Sequence, residues 1–277
     1  MSSTWYGQSP PPRAPKFNAA DWFRLLMRGF LMVVVVFGGL CLLLLIRLVE
    51  RPLFGERRPV TPNVTVFVCQ IALRILRLKV EIEGKFEPDA GAVVANHSSW
   101  LDIFVLNAVK RVYFVSKSEV SAWPGIGWLA RATGTVFVER KRARAAEQAQ
   151  LFRERLAVGH RLLFFPEGTS SDGQTVLPFK TTLFAAFFTE ALRDNMSIQP
   201  VSVIYQAPKG CDKRWYAWWG DMDFAPHFLR VLSTSGKGHI LVKYHKPLHV
   251  ADFSDRKVLA KAAFVAVRGG HAADSSC

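Results

Sequence analysis

Between Arg28 and Arg47 run eighteen residues without a formal charge, GFLMVVVVFGGLCLLLLI. As a helix rising 1.5 Å per residue they would reach about 27 Å, nearly the hydrocarbon depth of a bilayer. Valine and leucine continue around every face of such a helix, which suits lipid better than the half-buried position of a core helix. A cleaved signal peptide fits less well: the polar stretch before the run is long, the run exceeds a usual apolar signal region, and RLVERP follows where small residues would mark cleavage. Orientation is open, because Arg13, Lys16, Arg24 and Arg28 precede the run and Arg47, Arg51, Arg57 and Arg58 follow it. A second apolar segment, residues 64–80, gathers Arg74, Arg77 and Lys79 toward its C-terminal end, as an interfacial helix does. Pro59 and Pro62 separate the two segments. The expectation is a membrane-associated helical pair over residues 19–80 that dips into one leaflet, with a single-span anchor as the alternative. The Pro-rich residues 1–18 are expected to form a flexible tail.

Downstream, short apolar runs alternate with helical stretches, the pattern of an α/β domain over residues 81–270. The expected architecture is a mixed sheet flanked by helices. Strands are expected at LKVEIEG, GAVVA, RVYFVSK, TGTVFVER, HRLLFF, IQPVSVIYQ and HILVKYHKPLHV. Helices are expected over about 99–109, 143–158 and 180–193, with a Gly- and Trp-rich turn at SAWPGIGW. The 36 Lys+Arg against 22 Asp+Glu leave a net charge of +14, which points to an anionic partner such as lipid or a phosphorylated substrate. Cys41, Cys69, Cys211 and Cys277 are far apart and form no CxxC, so neither a disulfide framework nor a zinc finger is indicated.

Three constellations could carry chemistry. In NHSSWLD, His97 leaves a strand and Asp102 follows five positions later, at the carboxyl end of a sheet where α/β proteins place ligands. A neutral imidazole there can take a proton from an alcohol if a carboxylate fixes its tautomer. The plainer reading is that Ser99 and Asp102 form a capping box and His97 is a hydrogen-bonded turn residue. In FFPEGTSSDG, the segment Glu167, Gly168 and Thr169 could cradle a phosphate or an oxyanion, or form an ordinary turn. In GTVFVERKRAR, Arg140 ends a strand, where a guanidinium can grip phosphate, whereas Lys141, Arg142 and Arg144 read as a solvated or lipid-surface run. GIGWLA follows Trp-Pro and not a strand, so it is a poor dinucleotide site. Walker, zincin and serine-hydrolase motifs do not occur. The tryptophans of RWYAWWGDM, without a nucleic-acid motif beside them, are expected at a membrane interface.

The order NHSSWLD, GTVFVER, FPEGT, PVSVIY, over about 110 residues from Asn96 to Tyr205, resembles the four blocks of the glycerolipid acyltransferase family that includes 1-acyl-sn-glycerol-3-phosphate acyltransferase. The resemblance implies that His97 and Asp102 are the catalytic pair, that Arg140 is an acceptor-phosphate ligand, and that Glu167, Gly168 and Thr169 belong to the acceptor site. It implies a lysolipid acceptor, acyl-CoA or acyl carrier protein as donor, membrane lipids as surroundings, and neither metal, cofactor nor nucleic acid. The expected place is the inner (cytoplasmic) membrane with the active site facing the cytoplasm, and the expected acceptor is 1-acyl-sn-glycerol-3-phosphate. One departure bears on the acceptor. The family's third block usually continues FPEGTRS, and here Ser170 stands in the place of that arginine. Loss of such a hydrogen bond to phosphate would cost about 1.5–3 kcal/mol if not replaced. Some relatives acylate lyso-ornithine lipid, whose head group lacks phosphate, and that is the alternative acceptor. A non-enzymatic protein that only holds anionic lipid is the second alternative. It would explain the charge but give His97, Asp102 and Glu167 no common role.

Overall fold

The computed structural model describes residues 4–12, 16–88, 91–139 and 144–274. Helix α1 (Ala19–Phe54) starts at a reciprocal cap, the Asn18 side chain accepting from the Asp21 amide and the Asp21 side chain from the Asn18 amide. At 36 residues it is the one described helix long and apolar enough to cross a membrane, and only about a tenth of its most apolar window is covered by protein. Helix α2 (Thr61–Ile75) folds back along it. The turn is held by Glu50: its carboxylate accepts from the Val60 and Thr61 amides, from the Thr61 hydroxyl at 2.6 Å and from Arg47. Gly39 lets Val68 approach the α1 backbone.

Strands β1 (Leu78–Glu83), β2 (Ala92–Ala95), β3 (Tyr113–Lys117), β4 (Val136–Val138), β5 (Leu162–Phe164), β6 (Ser197–Gln206) and β7 (Gly238–Tyr244) form a sheet in the order β1-β7-β6-β2-β5-β3-β4, with β8 (Leu248–His249) also on β6. Pairing is parallel except where β6 meets β7 and β8. The central strands alternate their side chains between two cores. Val93, Leu163 and Val201 face α2, α3 (Leu101–Val109), α7 (Phe224–Ser233) and the inner side of α1. Ala92, Leu162 and Phe164 face α5 (Ala145–Ala157), the 3-10 helix Leu183–Phe188 and α8 (Arg256–Asp274). The four-residue α6 (Glu190–Arg193) leads into β6. Two buried or half-buried arginines on α1 reach the C-terminal end of α7. Arg28 donates to Leu232 O at 2.9 Å and Thr234 O at 2.7 Å, and Arg24 donates to Ser233 O. Guanidinium groups there satisfy last-turn carbonyls and complement the helix dipole. At the other end of the hairpin, Arg58 donates to Ala132 O of α4 (Ile126–Thr133). The long helix is thus fastened near its start, while the turn after it is tied to the same domain.

Several expectations shift. The second apolar segment stays helical only to Ile75, because its last residues join the expected LKVEIEG strand, where Leu78–Glu83 finds a parallel partner in β7. SAWPGIGW is not a turn: a short 3-10 helix (Ser118–Ala122) and α4 pack against one another there. The 180–193 helix breaks into a 3-10 stretch and α6. Helices α7 and α8 have no counterpart in the sequence reading. In the expected tail, Arg214 donates to Ser9 Oγ and Pro10 O, and Arg230 donates to Pro12 O, so residues 9–12 lie against the domain. The tryptophan cluster is also different from its expectation. Trp219 is buried, and the indole nitrogens of Trp215 and Trp218 donate to Thr234 Oγ1 and Met222 O, which places the cluster within protein packing.

Candidate active site

Strand β2 is buried on both sides and ends at Ala95, so the next residues emerge at the carboxyl edge of the sheet. Asn96 closes the strand by exchanging two hydrogen bonds with the Val203 backbone, Nδ2 to O and Oδ1 from N. The chain then turns through His97, Ser98 and Ser99 into α3, whose first turn carries Asp102. Asp102 has no exposed surface. Its Oδ2 accepts from His97 Nδ1 at 2.7 Å and from the amides of Ser98 and Ser99 at 2.9 and 3.0 Å. Its Oδ1 accepts from Tyr205 Oη at 2.6 Å. The capping interaction and the imidazole contact therefore use the same oxygen and do not exclude one another.

This donor set fixes the tautomer. Two backbone amides and a phenol all donate to the carboxylate, so Asp102 acts as acceptor and His97 Nδ1 carries the hydrogen. Burial, and next the Asp102 charge, push the Tyr205 phenol well above its ordinary value, so it stays a donor. The other nitrogen, Nε2, makes no hydrogen bond among the described residues. The His97 side chain is 22% exposed and its ring stacks on Phe165 with centroids 4.2 Å apart. A half-exposed imidazole with a free Nε2 lone pair can take a proton from an incoming hydroxyl.

Glu167 lies behind this turn. Its Oε1 accepts from the His97 amide at 2.8 Å and its Oε2 from the Leu177 amide at 2.9 Å. The carboxyl is 2% exposed. Burial pushes it up to about 8, the two amides oppose that shift, and the Asp102 charge adds to it. Gly168 adopts φ +79°, a left-handed conformation open to glycine, and reverses the chain after Glu167. The Ser171 amide then returns to His97 O at 2.8 Å, with Ser170 buried and Thr169 half-buried between them. Trp218 N donates to Ser98 O, closing the site from the side of the tryptophan cluster.

The structure thus brings His97, Asp102, Glu167, Gly168 and Thr169 together. Both Glu167 oxygens are engaged by backbone, so its side chain braces the turn instead of facing an acceptor. Arg140 lies outside the described residues; the strand before it, β4, is at the sheet edge. The amides of His97, Ser98 and Ser99, natural candidates for an oxyanion site, already donate to Glu167 and Asp102. Tyr205 escaped the sequence reading as an Asp102 partner, because 103 positions separate them and only strand pairing unites them. A second nearby histidine, His227, is buried and pushed down to about 3 by burial and then by Arg230, and its Nδ1 accepts from Trp100 Nε1. Among the described residues no group of three or more His, Cys, Asp or Glu side chains could hold a metal ion.

Comparison with known proteins gives the chain a family. The Acyltransferase family model matches residues 77–204. The chain is 54% identical over 266 residues to a lyso-ornithine lipid O-acyltransferase of Rhodobacter capsulatus, covering 96% of each chain. It is 37% identical to a protein of the same description from Brucella abortus, over 70% of this chain and 76% of that one. A 1-acyl-sn-glycerol-3-phosphate acyltransferase of Neisseria gonorrhoeae is 42% identical over 124 residues, 44% of this chain and 47% of that one. The crystal structure of the 1-acyl-sn-glycerophosphate acyltransferase PlsC from Thermotoga maritima shares the fold, with a TM-score of 0.63 at 23% identity, over 93% of this chain and 97% of that one. With identity of this extent over nearly its whole length, the chain belongs to the acyltransferase family and is an O-acyltransferase.

Proposed function

We propose that this enzyme transfers a fatty acyl group from a thioester donor, acyl-CoA or acyl carrier protein, to the hydroxyl of lyso-ornithine lipid. The observation that carries the acceptor assignment is the match to the R. capsulatus protein across 96% of both chains; the relative named for a glycerol phosphate acceptor matches over 44%. Ser170 supports the same choice, because an uncharged, buried residue stands where a phosphate-binding arginine is usual. The earlier expectation of 1-acyl-sn-glycerol-3-phosphate accordingly becomes the second reading, with Arg140 as its phosphate ligand.

In the reaction, His97 Nε2 takes the hydroxyl proton as the oxygen forms a bond to the thioester carbonyl carbon. Asp102 stabilises the imidazolium that results. Collapse of the tetrahedral intermediate breaks the carbon–sulfur bond, and the imidazolium returns its proton to the departing thiolate. The electron pair ends on sulfur, no acyl-enzyme forms, and no cofactor is required. With the catalytic-turn amides committed elsewhere, the Thr169 and Ser170 amides are the candidate donors to the oxyanion. The uncovered apolar side of α1, with Phe30, Leu45 and Leu48 each more than 60% exposed, is read as lipid-facing. The ties of α1 to α7 and of the hairpin turn to α4 favour a pair lying in one leaflet, and a site that takes acyl-CoA or acyl carrier protein belongs on the cytoplasmic side of the inner membrane.

The test is a panel of lysolipids given to purified protein, reading lysolipid-dependent release of thiol from acyl-CoA. Lyso-ornithine lipid is expected to be the better acceptor, and Ser170→Arg is expected to move preference toward 1-acylglycerol 3-phosphate. Preference of the wild type for the phosphate acceptor would return the assignment to the second reading.

A further inference from the structure

Outside the helical pair, the densest group of exposed large apolar side chains among the described residues lies in six positions, Trp123, Ile126 and Trp128, at 46, 38 and 59% exposure. We infer that the knob formed by residues 118–133 is a second membrane-insertion surface, whose partner is the bilayer itself. The inference rests on the reading of α1 as lipid-facing and adds a contact made by the catalytic domain.

The local structure is built to present these side chains. The 3-10 helix Ser118–Ala122 and α4 meet where Gly127 is buried, and a Cβ at that position would run into the Ser121 carbonyl. Arg131 reaches back from the last turn of α4 to the same Ser121 carbonyl. Two short helices are thereby locked into a compact unit while both indoles point outward. Loose apolar loops lose entropy on insertion, whereas a rigid unit of this kind has little left to lose.

Position supports the same partner. The knob follows β3, which pairs with β5, and β5 leads into Glu167, so its 3-10 helix starts at the catalytic end of the sheet. Helix α4 touches α1 and α2, and Arg58 of the hairpin turn donates to Ala132 O. The knob therefore adjoins the helical pair. Chemistry then selects lipid over protein. Residues 120–130 carry no charged side chain, so an acidic carrier protein would find no cation at the centre of the patch. Tryptophan beside small apolar residues, with the charged Glu119 and Arg131 kept to the margins, suits a membrane–water interface.

The experiment places the full chain, as wild type and as Trp123→Phe/Trp128→Phe, in vesicles with dibrominated or ordinary acyl chains. Both positions are exposed, so the conservative replacements leave folding intact. Bromine should quench the wild type, and the double variant should lose a quenched component matching two of the chain's eight tryptophans. An undiminished quenched component in the double variant would overturn the inference while leaving α1, through Trp22 in its first turns, embedded. A wild type that bromine does not quench at all would overturn the lipid-facing reading of α1 together with the inference. Emission at these two positions that responds to added acyl carrier protein but not to bromine would overturn it in favour of a donor-docking face.

Discussion

The His97 turn and helix α1 are stabilised in opposite ways. Around His97, three residues converge: Asp102 from α3, five positions on, and from distant parts of the chain Tyr205 of β6 and Glu167 of the loop after β5, all binding the turn directly or through one another. Its backbone amides are occupied and its carboxylates are buried. Along α1 the long outer face is exposed, and the helix is ordered by local helix formation, an N-terminal cap, the packing of one side on α2 and the core through Leu25 and Met32, and a few arginine contacts near its ends. A site that must hold an imidazole in one tautomer needs many mutually supporting polar contacts. A surface meant for lipid needs only apolar side chains and satisfied backbone.

This contrast predicts where substitutions matter. The largest effect is expected from Asp102→Asn. The amide cannot accept from every donor around it and no longer stabilises an imidazolium, so turnover should fall by about 10²–10⁴-fold; steady-state kinetics on lyso-ornithine lipid would show it. Glu167→Ala should come next, by unpairing the His97 and Leu177 amides at about 1–3 kcal/mol each. Denaturant unfolding measures that loss, and activity should fall with it. Tyr205→Phe removes one donor to a carboxylate that keeps three others, so kcat should drop about tenfold, or about 1.4 kcal/mol, with little change in KM. The smallest effect belongs to the other region. Leu45→Ala, on the outer face of α1, should change unfolding stability by less than about 0.5 kcal/mol. A loss of several kcal/mol there would show that the outer face packs on protein.

Glu167 also gives the region around His97 a pH signature. Its carboxyl is pushed up to about 8 from an ordinary 4.5 by burial, so between those values the folded protein holds a proton that the unfolded chain releases. Its contribution to stability is then complete below about pH 4.5 and is lost as the pH rises through about 8. Glu167→Gln should flatten that part of the profile, read as the thermal midpoint at successive pH values. An unchanged slope would mean that Glu167 is already ionised at the lower end.

What was legible in the sequence follows the same division. The apolar run, Pro59 and Pro62 located the hairpin, because long apolar helices are specified by local composition. His97 and Asp102 were legible for a similar reason, being five residues apart on one strand-to-helix turn. Tyr205 and the bracing role of Glu167 depend on strands brought together by the sheet, which no local pattern records. Helix α4 was hidden because Trp-Pro-Gly-Ile-Gly reads as a turn; the buried Gly127 that marks the helix packing has meaning only once Ser121 lies opposite. The tryptophans of 215–219 resembled an interfacial belt by composition, yet Thr234, Met222 and the N-terminal segment bury them.

The proton transfer at His97 is tested most directly by release of thiol from acyl-CoA, with and without lyso-ornithine lipid, for the wild type and for folded His97→Ala. The wild type should release thiol only when the lysolipid is present, in equal amount to the acylated product, and His97→Ala should release almost none under either condition. Lysolipid-dependent thiol release that survives in His97→Ala at a comparable rate would contradict the assignment of Nε2 as the base.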